Sequence, residues 1–172
     1  MASDLTPEIP GTSDFTIEQQ LMSNWCWASI TAALCSFYND NPAQSQQQLA
    51  TLITGNPVCE LGTFDICNVT CDLEVVLGRV THLDTKFENP LSADQLVEVL
   101  NGGANPVACQ MDLPGIGGHA VIIINTYTTA EEGLMIQAAD PMDGSIQAMT
   151  YDQFTNNYRN LSGSWERSYT TR

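Results

Sequence analysis

Gln20-Leu-Met-Ser-Asn-Trp-Cys26-Trp-Ala-Ser-Ile30 sets a cysteine between two tryptophans where an apolar helical pattern begins. Ile30, Leu34, Phe37 and Tyr38 recur at i, i+4, i+7 and i+8, which predicts a helix from about Trp25 to Tyr38. Cys26 then falls in the first turn, where unpaired backbone N–H groups and the positive end of the helix dipole favour the thiolate, the reactive form. A lone cysteine on a helix is more often a buried apolar residue. The polar company of this one reverses that reading. Gln20 upstream carries a side-chain N–H donor suited to an oxyanion. Downstream come Gly117-Gly118-His119 and Ala138-Ala139-Asp140-Pro141. Thiol, imidazole and carboxylate are a nucleophile, its base and the group that orients the base.

His119 follows a glycine-rich turn and opens a strongly apolar strand, so it is held on rigid scaffolding with room before it for substrate. Asp140 sits at the end of the strand expected beside that of His119, from where its carboxylate can accept the imidazole N–H. Asp143, in the same Asp-Pro-Met-Asp-Gly turn, is the alternative, and both suit an ordinary turn. His82, in Thr81-His-Leu-Asp, reads as a surface or loop residue. Cys35, on the same helix as Cys26, and Cys109, within a strand, lack polar company and read as core or disulfide residues.

Organisation around these residues is helical first and β-rich second. Residues 1–15, with two prolines, read as an extended arm, and 16–172 as one domain. Ser45-x-x-Gln48 and Ser92-x-x-Gln95 are capping boxes. They open helices through Leu49, Leu52 and Ile53 and through Leu96, Val99 and Leu100, the latter ended by Asn101-Gly102-Gly103. Leu73, Val76, Leu77 and Val80 mark another helix. Strands are expected over 106–111, 119–126, 134–138, 146–150 and 165–171, with a brief helix capped by Thr150 and ending near Tyr158. Helices followed by strands without alternation indicate an α+β fold of two lobes, a helical lobe over about 16–103 and a β lobe over about 104–172.

With 20 acidic against 5 basic side chains, the net charge of -15 excludes nucleic acid as a partner and favours cationic peptides. No apolar run is long enough to span a membrane, and residues 1–10 have neither the basic nor the apolar region of a signal peptide. Six cysteines are many for a cytosolic protein of this size. With Cys26 kept free, at most two disulfides form and a further thiol is left over. Cys59 with Cys67 or Cys71 is the first pairing, since it would pin a long irregular loop. The spacing of these three with His82 matches no zinc pattern, and the cystines favour export.

Gln20, Asn24-Trp25-Cys26-Trp27-Ala28, Gly118-His119 and Ala139-Asp140-Pro141 together resemble the papain-like cysteine peptidases, in their short bacterial single-domain branch. That branch is related to bacterial effector peptidases and to the peptidase domains of bacteriocin exporters. The resemblance implies a papain-like α+β fold and hydrolysis of peptide bonds in protein or peptide substrates. It makes Cys26 the nucleophile, His119 the general base and acid, and Asp140 the orienting group. Gln20 with the Cys26 backbone N–H would form the oxyanion hole, and neither metal nor organic cofactor is required. The chain departs from the branch at Ser29, where alanine is usual, and at Met142-Asp143, where an aromatic often follows Asp-Pro; the second change predicts more solvent at the His119–Asp140 contact. The expected molecule is an exported monomer, with an inhibitor, immunity or activator protein as a further partner. Rival readings are an amidase or acyltransferase acting on peptidoglycan or amines, and a catalytically silent binding module.

Overall fold

The computed structural model describes residues 14–103 and 105–172. The arm expected over 1–15 therefore lies, except for Asp14 and Phe15, outside the described residues. Helix α1 (Cys26–Phe37) is followed by α2 (Gln46–Thr54), two short 3-10 turns (Pro57–Leu61 and Asp65–Cys67) and α3 (Leu73–Arg79). Strand β1 (Leu83–Phe87) and α4 (Ala93–Gly103) come next. Then follow β2 (Val107–Leu113), β3 (Gly117–Thr129), β4 (Gly133–Asp140), β5 (Ser145–Thr150), α5 (Tyr151–Asn156) and β6 (Ser164–Thr171). This is the expected α+β arrangement, with most helices first and an antiparallel sheet built mainly from the strands that follow, although β1 of that sheet precedes α4. No helix among the described residues is long and apolar enough to cross a membrane.

The six strands lie in the order β1-β6-β2-β3-β4-β5, every pair antiparallel. Strand β3 runs through the middle and is apolar on both faces. Ala120, Ile122 and Ile124 pack with Trp27, Ile30 and Leu34 of α1, whereas Val121 and Ile123 pack with Leu96, Leu100, Phe154 and Trp165. Alternate side chains of a strand point to opposite faces. A sheet covered on both sides therefore gives the unbroken run Ala120-Val-Ile-Ile-Ile.

Helix α4 ends at Gly103, within the Asn101-Gly102-Gly103 stretch expected to end it. Two other points differ from expectation. Strand β1 was not expected from Leu-Asp-Thr-Lys-Phe; it is a partly exposed strand at one edge, so its apolar pattern is weak. His82 is not a surface residue but only 6% exposed, stacked on Tyr38 with ring centroids 4.7 Å apart. Long-range contacts that no local pattern encodes bury it.

The cysteine loop is pinned by a Cys59–Cys67 disulfide, the first of the two pairings expected, and Cys26, Cys35, Cys71 and Cys109 are free. Four free thiols exceed the two expected. The bridge fixes carbonyls that receive the tryptophans beside Cys26. Trp25 Nε1 donates to Cys67 O at 2.8 Å and Trp27 Nε1 to Val69 O at 3.0 Å. Asn24 bonds Asn68 twice, at 2.9 Å each. The Asn-Trp-Cys-Trp stretch is thus a docking seam that sets the position of the helix start. Both indoles are at most 1% exposed, and truncating either to alanine would cost about 3–5 kcal/mol.

Candidate active site

Cys26 is the first residue of α1, preceded by Trp25, and no side chain caps this end. Its thiol opens into a cleft of about 370 Å³ that is also lined by Gln20, Asn24, His119 and Met142. The cleft thus brings Cys26 and Gln20, from one stretch of sequence, together with the distant His119. Asp140 lies behind His119. Residues 119, 121 and 123 of β3 share a strand face, as do 136, 138 and 140 of β4, and Val121, Ile123, Ile136 and Ala138 all meet Tyr158 in one core cluster. That register sets imidazole and carboxylate side by side, with His119 Nε2 2.7 Å from Asp140 Oδ1. Asp143 makes no such contact. It accepts from Ser145 N and Oγ and from the Arg159 guanidinium.

Asp140 is 1% exposed, so its charge depends on its donors. There are four: His119 Nε2 and Met142 N on Oδ1, Tyr158 Oη and Arg159 Nε on Oδ2, all at 2.7 or 2.8 Å. Burial alone would raise its pKa, but the bond and charge of His119, then Met142 N and Tyr158, hold it well below the usual carboxylate range. Burial alone would likewise lower the pKa of His119. The bond to Asp140, the interaction with Cys26 and the charges of both outweigh this and push it up to about 9. A ring so placed keeps its proton at neutral pH. Since Nε2 serves Asp140, Nδ1 is the nitrogen left for the cleft.

The extra solvent expected at this contact from Met142 is absent. His119 is 4% exposed, and Tyr158 and Arg159 cover the carboxylate in place of an aromatic after Asp-Pro. Neither residue stood out in the sequence. The available signal was Arg159 itself, one of five basic residues in a strongly acidic chain. Its backbone lies in the left-handed region, with φ 57°, which is unusual for arginine and is held by the double contact to Asp140 and Asp143.

Gln20 is held by its backbone. Gln20 N donates to Pro141 O at 2.7 Å, and the buried Gln46 amide accepts from Leu21 N and donates to Gln19 O, each at 3.0 Å. Gly144, with φ 70°, closes the Asp140 turn against this segment; a Cβ there would lie 3.0 Å from Gln19 N. Ser29, the departure in α1, adds a hydroxyl bond to Glu18 O. The Gln20 side chain presents Nε2 to the carbonyls of Met22 and Ser23 at 3.0 and 2.8 Å, and its Oε1 is buried without a partner. Exchanging the amide atoms would set three oxygens together, so the orientation is fixed.

Cys71 also lines the cleft, but burial and then Asp72 push its thiol up to about 11. Cys109 is fully buried and its thiol is raised by that burial. A thiol beside a proton-bearing imidazole, backed by a buried carboxylate and open to a cleft, is equipped for nucleophilic attack on a carbonyl. The family model described as papain-like cysteine protease AvrRpt2 matches residues 10–159 of the chain. No curated protein matches it.

Proposed function

The chain belongs to the papain-like cysteine protease AvrRpt2 family, and from that premise we propose that it cleaves peptide bonds of protein or peptide substrates with Cys26, His119, Asp140 and Gln20. The buried His119–Asp140 contact at 2.7 Å, beside a thiol at the uncapped start of α1, carries this reading.

Cys26 as thiolate attacks the scissile carbonyl carbon, forming a C–S bond while the carbonyl π electrons move to oxygen. The imidazolium of His119 gives its Nδ1 proton to the leaving nitrogen as the C–N bond breaks, and the amine departs from a thioester. Neutral His119 then takes a proton from water, whose oxygen attacks the thioester. Collapse releases the carboxylic acid and restores the thiolate beside the imidazolium. Asp140 holds the ring on Nε2 throughout and stabilises its positive form, while Tyr158 and Arg159 hold Asp140.

The oxygen that becomes negative in each step takes hydrogen bonds from the Cys26 backbone N–H and from Gln20 Nε2. The Met22 and Ser23 carbonyls already hold that nitrogen, but both are neutral. An oxyanion forms a charge-assisted bond roughly twice as strong and so wins one of the two hydrogens. The disulfide supports a working place in an oxidising compartment, outside the cell that makes the protein.

A proteome-derived peptide library treated with the enzyme and read by mass spectrometry tests the assignment. New peptide termini should appear with wild type and vanish with Cys26→Ala. Termini that persist in that variant, or wild-type protein that releases only peptidoglycan fragments, would reject it.

A further inference from the structure

A second thiol, imidazole and carboxylate meet at the opposite end of α1, where the proposed mechanism uses none of them. Cys35 Sγ, a carboxylate oxygen of Asp40 and a ring nitrogen of His82 all lie within 4.8 Å of one another. Two helix ends build the cluster. At the end of α1, Asn39 is left-handed with φ 59°, Asn39 N bonds Ser36 O at 3.1 Å, and Asp40 N bonds Cys35 O at 2.9 Å. At the end of α3, Thr81 is left-handed with φ 65°, Thr81 N bonds Gly78 O at 3.3 Å, and His82 N bonds Leu77 O at 2.9 Å. Each is the paired-bond cap in which the residues at the Cys35 and Asp40 positions ordinarily make an apolar contact. Here that contact is between a thiol and a carboxylate, and His82 fills the corresponding outer position of the second cap.

The imidazole is oriented for a cation. Nδ1 lies 2.8 Å from the Arg172 main-chain oxygen, which can only accept, so Nδ1 carries a hydrogen and Nε2 faces Asp40 Oδ2 at 2.8 Å. An N–H held by a carbonyl is the usual support of a metal-binding histidine. Stacking on Tyr38, with 25° between the planes, fixes the ring. Cys35 is fully buried, and the Asp40 side chain is 33% exposed, which gives the cluster one wet side.

We propose that Cys35, Asp40 and His82 bind a zinc-like divalent cation, through thiolate sulfur, one carboxylate oxygen and Nε2, with water at the exposed fourth position. Thiolate with imidazole suits zinc and its neighbours, whereas calcium and magnesium take oxygen. Ligand atoms of tetrahedral zinc stand roughly 3.3–3.8 Å apart. The nitrogen–oxygen contact of 2.8 Å has to open and the sulfur to close in, each by well under the width of an atom. The cation replaces the proton that otherwise lies between Nε2 and Oδ2, and it displaces the Cys35 proton. The bound ion would tie the end of α1 to the α3–β1 junction and, through Arg172, to the end of β6. Its role is structural.

The cleft also holds two free cysteines and a histidine, so the test uses Cys26→Ala with Cys71→Ser as background. Purified protein is titrated with Co²⁺ while thiolate-to-cobalt absorption is followed, then with Zn²⁺. One equivalent of Co²⁺ should give the thiolate band and one of Zn²⁺ should remove it. Adding Cys35→Ser should abolish the band, and adding His82→Gln, which removes a direct ligand, should weaken binding by more than the roughly 10–100-fold that loss of a ligand's outer hydrogen-bond partner costs. Absence of the band in the background protein, or a band that survives Cys35→Ser, overturns the proposal. If Cys35→Ser does not fold, Asp40→Asn with native circular dichroism takes its place, and unchanged Zn²⁺ affinity in it overturns the proposal equally.

Discussion

Arg159 Nε and His119 Nε2 hold the two different oxygens of Asp140, each at 2.7 Å, so a guanidinium and an imidazole share one buried carboxylate. The guanidinium donates to that carboxylate and so competes with the imidazole for its charge. Asp140→Ala should therefore cost far more activity than Asp143→Ala, which loosens the outer contact of Arg159 and the bonds from Ser145. Arg159→Gln should fall between them in kcat and should move the basic limb of the pH profile upward, because the ring loses a nearby positive charge. A purely structural role for Arg159 would leave that limb in place; pH profiles of kcat/KM on a fluorogenic peptide decide.

In the proposed mechanism Cys26 and His119 act as a unit. His119→Ala should lower turnover almost as far as Cys26→Ala, and the double variant should be hardly worse than either. His82→Ala should reduce thermal stability, since it leaves Asp40 without its partner, while kcat on the same peptide stays near wild type. Additive losses in the double variant, or abolished turnover from His82→Ala, would mean that a different histidine serves the thiol.

The pH dependence has a definite sign. His119 is raised from 6.5 to about 9 on folding, so its contribution to stability is complete below 6.5 and disappears as pH rises through 9. Activity that needs the imidazolium falls over the same upper limb. Melting temperatures should decline from pH 6.5 to 9 in wild type and less so in His119→Gln. Parallel curves for the two proteins would show that the ring is not held protonated.

Gln20→Ala should lower kcat roughly 100–1000-fold, the usual loss for one oxyanion donor, with little change in melting temperature. Steady-state kinetics with an amide substrate measure it. Wild-type turnover would show that the Met22 and Ser23 carbonyls keep both amide hydrogens throughout the reaction.

The Cys59–Cys67 bridge closes a loop with a sequence separation of 8, worth about 2–3 kcal/mol by loop entropy alone. Cys59→Ser should destabilise by that order and also lower kcat, because the Trp25 and Trp27 indoles hang on carbonyls beside Cys67. Denaturant melts combined with alkylation rates at Cys26 check it. Full stability with full reactivity would show that the loop holds its shape without the bridge.

The sequence displayed what is periodic or chemically out of place. Helix α1 announces itself through Ile30 and Leu34, the central strand through its apolar run, and Cys26, Gln20, His119 and Asp140 as polar residues in apolar or glycine-rich settings. The illegible parts are those made by distant partners. Tyr158 and Arg159 gain their meaning from a carboxylate on β4, which the segment after α5 reaches only in the folded chain. Gln46 stands in the polar run Gln44-Ser-Gln-Gln-Gln48, yet it is 1% exposed because it bridges Gln19 and Leu21. His82 is buried by α1 and Arg172, and β1 exists because β6 lies beside it.

Strand β6 inserts between β1 and β2, both of which precede it by at least fifty residues, and among the described residues β1 pairs with no other strand. As a chain emerges from the ribosome, the cysteine appears early, but the sheet stays in two unjoined pieces until residues 164–171 arrive. The residues that steady the carboxylate, 158 and 159, come only shortly before. Because domains close as units after their long-range pairings are made, a partly made chain would carry the thiol without the machinery that arms it. Proteolytic capacity would then switch on late and all at once, so that the order of synthesis itself shelters the producing cell from unfinished copies.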